Sequence, residues 1–262
     1  MIAFFCGRIE TLLLAYKLSL ALALGLGFVL ALQVSFPSQV GTFSDLATPA
    51  LAGLAALSAG LTMRRYEKGL GTRSGKIWLS FTVGILLWFF GETVWLVYTH
   101  WLNVEIPYPS AADVFYITGY FPLLTGLVLY VSYFKPAIHP RVISLIVALT
   151  LVSASVVVVF LLNPLVTSST SPLEWFVDLA YPLLDLSMLS VATLGLVIFV
   201  KGRLGPSWLF LAVGILLNVF ADLLFSYATL THSYYSGHPV DFLFLWGYGS
   251  FTLAFTLHRK EL

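Results

Sequence analysis

The sequence predicts an all-α, polytopic membrane protein: eight transmembrane helices in two tandem four-helix repeats of parallel orientation. Three observations carry that expectation. The first is composition. Of 262 residues, 59% are hydrophobic and 10% charged, with a mean hydropathy of +0.95. Soluble domains carry about 25% charged residues, so this chain has too little polar surface to face water. The second is an internal repeat. Residues 83–99 recur at 213–229, with Glu92 and Asp222 at the same place in each copy. The match extends upstream, where residues 45–49 answer to 178–182, and downstream, where 113–120 answer to 241–248. The third is charge placement. All 13 Lys and Arg fall in alternate connections or at the chain ends. Lys and Arg concentrate on the cytoplasmic side, so both termini are expected inside, in the cell membrane.

In chain order, residues 1–17 mix apolar residues with Arg8, Glu10 and Lys17 and read as an interfacial segment. The apolar run 18–36 is too long for a removable signal peptide and is the first expected span. The second, 45–63, is rich in Ala and Gly, which suits close helix approach. A charged loop leads to the third, 77–101, and a short one to the fourth, 111–134. Residues 18–134 thus form the first repeat. The second occupies 141–258, with spans near 142–162, 173–200, 208–230 and 239–258 and a polar loop at 163–171. Four spans per repeat keep the halves parallel, related by an axis along the membrane normal.

The acids show the opposite bias to the bases. Asp45, Asp113, Asp178 and Asp241 sit near the outer ends of their spans, while Glu92, Asp185 and Asp222 lie deeper. At a rise of ~1.5 Å per residue, Glu92 and Asp222 sit roughly 21 Å from the inner ends of their helices. Helical phase groups them with aromatic and polar residues. Glu92 shares a face with Trp95, and Asp222 with Asn218. Asp113 lines up with Tyr116 and Tyr120, Asp241 with Tyr248, and Asp178 with Tyr181 and Asp185. No Lys or Arg lies at this depth. Such acids must be protonated, hydrogen-bonded, hydrated or bound to a cation. The twelve residues so grouped by phase, without Asp45, are the candidate ligand-binding set. Structural roles compete at several of them: Ser110 and Asp113 have capping-box spacing, as do Ser171 and Glu174. Glu92 and Asp222 lie mid-helix, where the structural alternative is a hydrogen-bond pair joining the third and seventh spans. Trp101, Tyr108, Trp175, Tyr234 and Tyr235 read as an interfacial aromatic belt.

Catalytic motifs are sparse. His100, His232 and His238, with Asp222 or Asp241, are the material for a metal-dependent membrane hydrolase, but their spacing has no metal-site geometry. No mid-span His suits a haem and no mid-span Lys a retinal Schiff base, so metal and cofactor stay unassigned. A net charge of +1 implies no nucleic-acid partner. The single Cys6 excludes an intrachain disulfide.

Residues 107–120, with Ala221 to Phe225 and Asp241 to Tyr248, resemble a multi-pass membrane module. That module precedes diguanylate-cyclase and sensor-kinase output domains in many bacterial signalling proteins. The resemblance covers roughly residues 45–257 and implies a sensory input role with no defined ligand. The sequence ends at Leu262 with no output domain, so a free-standing copy is expected to signal through a membrane or cytoplasmic partner. The expected partners are thus the lipid bilayer, that signalling protein, and a second copy of the chain in a homo-oligomer. A small-solute or cation transporter built from parallel repeats is the alternative function.

Overall fold

In the computed structural model, the described residues are 35–69, 71–104, 106–133, 140–159, 171–199 and 204–261, with scattered positions between 16 and 32. All regular structure among them is helical. The helices are α1 (Pro37–Met63), α2 (Arg73–Leu96), α3 (Ala111–Tyr133), α4 (Pro140–Val157), α5 (Pro172–Phe199), α6 (Gly205–Leu230) and α7 (Asp241–Glu261). The expected interfacial segment 1–17, most of the span 18–36 and the loop residues 163–170 lie outside the described residues.

Local chemistry accounts for several boundaries. Pro37 opens α1, where a missing N–H costs nothing. Thr72 caps α2 by accepting from the Gly75 N–H at 3.2 Å. Both expected capping boxes form: the Ser110 N–H donates to Asp113 at 2.6 Å, and the Ser171 N–H to Glu174 at 3.0 Å. At its C-terminal end α2 widens into a π-helical turn, Val97–Leu102, closed by Asn103 in the left-handed region at φ 49°. Such turns often mark functional sites. Pro49 and Pro182 sit inside α1 and α5, each four residues after an aspartate. Each removes the helical hydrogen bond that the carbonyl of Asp45 or Asp178 would otherwise accept.

Five stretches are long and apolar enough to cross a membrane: Gln39–Tyr66, Arg73–Leu102, Ala111–Tyr133, Pro172–Phe199 and Gly205–Leu230. Within α4 the apolar stretch is shorter, Ile143–Ser155. The expected eighth span coincides with α7, which is not apolar enough to join the five. That helix opens on Asp241, buries Ser250 and His258, and ends on Arg259, Lys260 and Glu261.

Packing connects six helices into a closed ring. α1 lies against α2 and α7, α2 against α3, α3 against α5, α5 against α6, and α6 against α7. α4 packs on α5. The α1–α7 seam is tied by Thr62 Oγ1, which donates to the Phe255 carbonyl at 3.1 Å. One aromatic-rich core fills the ring, including Trp78, Phe81, Trp88, Ile215, Phe251 and Phe255. The outside is apolar as well. Leu79, Val83, Leu86 and Phe90 form an exposed stripe on α2, and Leu209, Leu216, Phe220 and Leu224 one on α6. With apolar stripes outside and carboxylates inside, the bundle inverts the order expected in water.

Gly119 and Gly247 stand at two of the close crossings that need glycine. A Cβ on Gly119 would lie 2.8 Å from Trp88 Nε1 and 3.1 Å from the Gly84 carbonyl oxygen. A Cβ on Gly247 would strike the Asn218 amide in the same way, across from the Gly214 carbonyl.

Candidate functional site: a buried acid and tyrosine centre

Seven carboxylates gather at one end of the ring and its interior, and phenols supply most of their partners. Glu92 on α2 is buried and accepts from the Tyr248 hydroxyl of α7 at 2.8 Å. Tyr116 on α3 faces the same carboxyl. Its ring rests on Gly91, where a Cβ would leave no room for it. Tyr120 on α3 is 2% exposed, and its hydroxyl lies 2.6 Å from Asp185 Oδ1 on α5 and 3.1 Å from Asp222 Oδ2 on α6. Asp185 is itself 2% exposed, and its Oδ2 is buried with no hydrogen-bond partner.

Nearer the helix ends, Tyr181 of α5 donates to Asp113 of α3 at 2.7 Å. Tyr108 of the α2–α3 connection donates to Asp178 of α5. Ser236 of the α6–α7 connection donates to Asp45 of α1 at 2.8 Å, and His100 Nε2 lies 3.0 Å from the same oxygen. Asp241, in the first turn of α7, accepts from the Gly237 N–H at 2.9 Å and the Tyr234 hydroxyl at 3.1 Å. Burial pushes the phenols of Tyr108 and Tyr234 above their ordinary range, and the hydrogen-bonded Asp178 and Asp241 add to it. Both therefore stay protonated and act as donors.

Ten of the twelve sequence candidates thus meet in hydrogen-bonded or facing groups. The other two do not. Asn218 turns back to its own helix, donating to the Gly214 carbonyl at 2.8 Å while it packs on Gly247. Trp95 packs edge-on against Phe225, with ring centroids 5.8 Å apart. The structural pairing considered for Glu92 and Asp222 takes another form: each bonds a tyrosine, Tyr248 and Tyr120 respectively.

Five participants fall outside the candidate set, Asp45 among them. Tyr108 and Tyr234, expected in the aromatic belt, are donors to acids, as is Ser236, while His100 faces Asp45. The sequence signal for two of them was the repeat itself, since Tyr108 and Ser236 occupy matching places ahead of the matched Asp113 and Asp241. At the opposite end of the ring, His258 is buried against Trp78 with ring centroids 4.5 Å apart, and its Nε2 has no partner. It lines a cavity of about 20 Å³ with Trp208, Tyr130 and Ser207, room for a single water.

Among the described residues, no group of three or more His, Cys, Asp or Glu side chains is placed to hold a metal ion. The chemistry available at the acidic centre is the holding of a proton or a cation between carboxylates. No family model, curated protein or solved structure matches the chain.

Proposed function

We propose that the chain is a membrane protein of eight spans in two tandem four-helix repeats, with both termini cytoplasmic. In this reading it is a ligand-sensing or partner-coupling module whose acidic and aromatic centre takes a cation or a protonated small molecule from the outer side. One observation carries the reading: the hydrogen bonds at the centre cross between the halves. Tyr120 reaches Asp222, and its repeat counterpart Tyr248 reaches Glu92, the counterpart of Asp222. Tyr108 reaches Asp178, and its counterpart Ser236 reaches Asp45. The inner end supports the same relation, since Trp78 lies on His258 while Trp208 lies on Tyr130, its ring 5.2 Å away. A charge change at one centre therefore acts on the contact between halves, which is what a sensor needs.

The test exploits the charge. Glu92→Gln with Asp222→Asn keeps size and hydrogen-bonding capacity but deletes the anions. Bound ligand stabilises by RT ln(1 + [L]/Kd), about 2.7 kcal/mol at a hundredfold excess over Kd. A thermal-shift screen of metal ions and organic cations is expected to raise the melting point of wild type and not of the double variant. An equal response in both, or none in wild type, removes the binding-site reading.

The transporter reading is favoured by a different observation: polar groups stand at matched places in the two repeats, Glu92 with Tyr248 and Asp222 with Tyr120. Cation or solute uptake into vesicles, lost in the double variant, would select it over sensing.

Topology is open to a separate check. With Cys6 replaced, single cysteines at Asn103 and Ser236 are expected to react with an impermeant thiol reagent added outside sealed cells, and one at Gly71 to stay unlabelled. Labelling at Gly71 would refute the orientation.

A further inference from the structure

Two facts at the centre concern hydrogens and not ligands. The Tyr120 hydroxyl has one hydrogen, yet it stands within hydrogen-bond distance of an oxygen from each of two carboxyl groups, Asp185 and Asp222. The second bond needs a hydrogen that only a carboxyl group can supply. Independently, Asp185 Oδ2 is buried and unpartnered on a side chain 2% exposed. An ionised carboxylate there would leave charge on an oxygen that nothing solvates, whereas a neutral acid leaves only a carbonyl oxygen unpaired. No cation offsets that charge: the sequence holds no Lys or Arg between Arg141 and Lys201 on the α5 side, between Arg203 and Arg259 on the α6 and α7 side, or between Lys76 and Lys135 on the α2 and α3 side. The other titratable groups facing the three are Tyr181 on α5, Glu92 on α2, Asp113 on α3 and Tyr248 on α7, all acids or phenols.

We infer that Asp185, Tyr120 and Asp222 form a binding site for one exchangeable proton, held on Asp185 and relayed through the Tyr120 hydroxyl to Asp222. In the resting arrangement Asp185 Oδ1–H donates to the Tyr120 oxygen, and Tyr120 O–H donates to the Asp222 carboxylate. Relay breaks the Asp185 O–H bond as a new Tyr120 O–H bond forms. The original Tyr120 hydrogen passes to Asp222 Oδ2, so one proton enters and one leaves the tyrosine. The site occurs once, without a counterpart across the repeat, because Ala52 holds the place in the first repeat that Asp185 holds in the second. The inference deepens the ligand reading at the same centre and rests on it only for the enclosure of these acids between the halves. It needs no added ligand, so its failure is separate from failure of the cation screen.

Infrared spectroscopy of the full chain, reconstituted with isotope-labelled aspartate, reads the proton directly through the carboxylic-acid carbonyl band. At neutral pH wild type is expected to lose one aspartic-acid band per chain on Asp185→Asn, and that band is expected to shift in heavy water. The double variant Asp185→Asn with Asp222→Asn is expected to lose no more than the single one. A wild type with no such band, a single variant that keeps it, or a second band lost in the double variant overturns the proposal. Should the Asn variants fail to fold, Tyr120→Phe keeps the ring and both acids while removing the relay hydroxyl. It is expected to shift the band's frequency, and an unchanged frequency overturns the proposal equally.

Discussion

Gly119→Val is expected to destabilise the bundle by about 1–3 kcal/mol, the usual cost of forcing carbon into a filled core. The new side chain would meet the Trp88 indole and the Gly84 carbonyl at the crossing of α2 and α3. Trp88 has nowhere to go: it is 3% exposed, donates to the Tyr116 carbonyl at 3.1 Å, and stacks edge-on with Tyr120. Relief must come from the helices parting, which would pull Tyr120 from Asp185 and Asp222. Gly247→Val is expected to cost a similar amount on the opposite side, where Asn218 takes the place of Trp88. Gly60→Ala is the control, because its added carbon meets only Thr82, at an ordinary 3.8 Å. Thermal melting in one detergent compares the three. A Gly119→Val chain that melts with wild type would show that α2 and α3 do not cross this closely.

Tyr248→Phe is expected to cost about 1–3 kcal/mol, the penalty for leaving a buried acceptor without its donor. Tyr248 is 1% exposed and Glu92 8%, so water cannot readily replace the lost hydroxyl. The same substitution made on a Glu92→Gln background is expected to cost less, because an uncharged amide tolerates the loss better. A double-mutant cycle on chemical or thermal unfolding gives the coupling between the two side chains. Additive costs would mean that Tyr248 stabilises through ring packing alone.

The sequence made the acids, their helices and their faces legible, since a mid-helix carboxylate in an apolar run stands out and phase assigns it a side. Asp113 and Glu174 were readable as caps for the same reason: a capping box is local. What phase leaves open is which neighbour a face meets. Glu92 and Asp222 shared a depth and so suggested each other, but the closed ring turns each toward a tyrosine distant in the chain, Tyr248 and Tyr120. Asn218 pointed to the acids by spacing and instead bonds its own helix, because Gly247 admits it there. Tyr108 and Tyr234 looked interfacial since loops near lipid favour tyrosine. Only the folding-back of the connections over the helix ends brings their hydroxyls to Asp178 and Asp241.

The α1–α7 seam and the Glu92–Tyr248 bond have a consequence for biogenesis. Glu92 lies 156 residues ahead of its donor in the chain. At a synthesis rate of about 5–20 residues per second, the acid would wait roughly 8–30 s for its partner. Throughout that interval the ribosome has delivered α2 but not α7, and the ring has no closing wall. An unpartnered glutamate must then take up a proton or keep water about it in the insertion machinery. Of these helices α7 leaves the ribosome last, and it is the one that relieves the acid, so nascent chains halted before Tyr248 should be the forms that quality control removes.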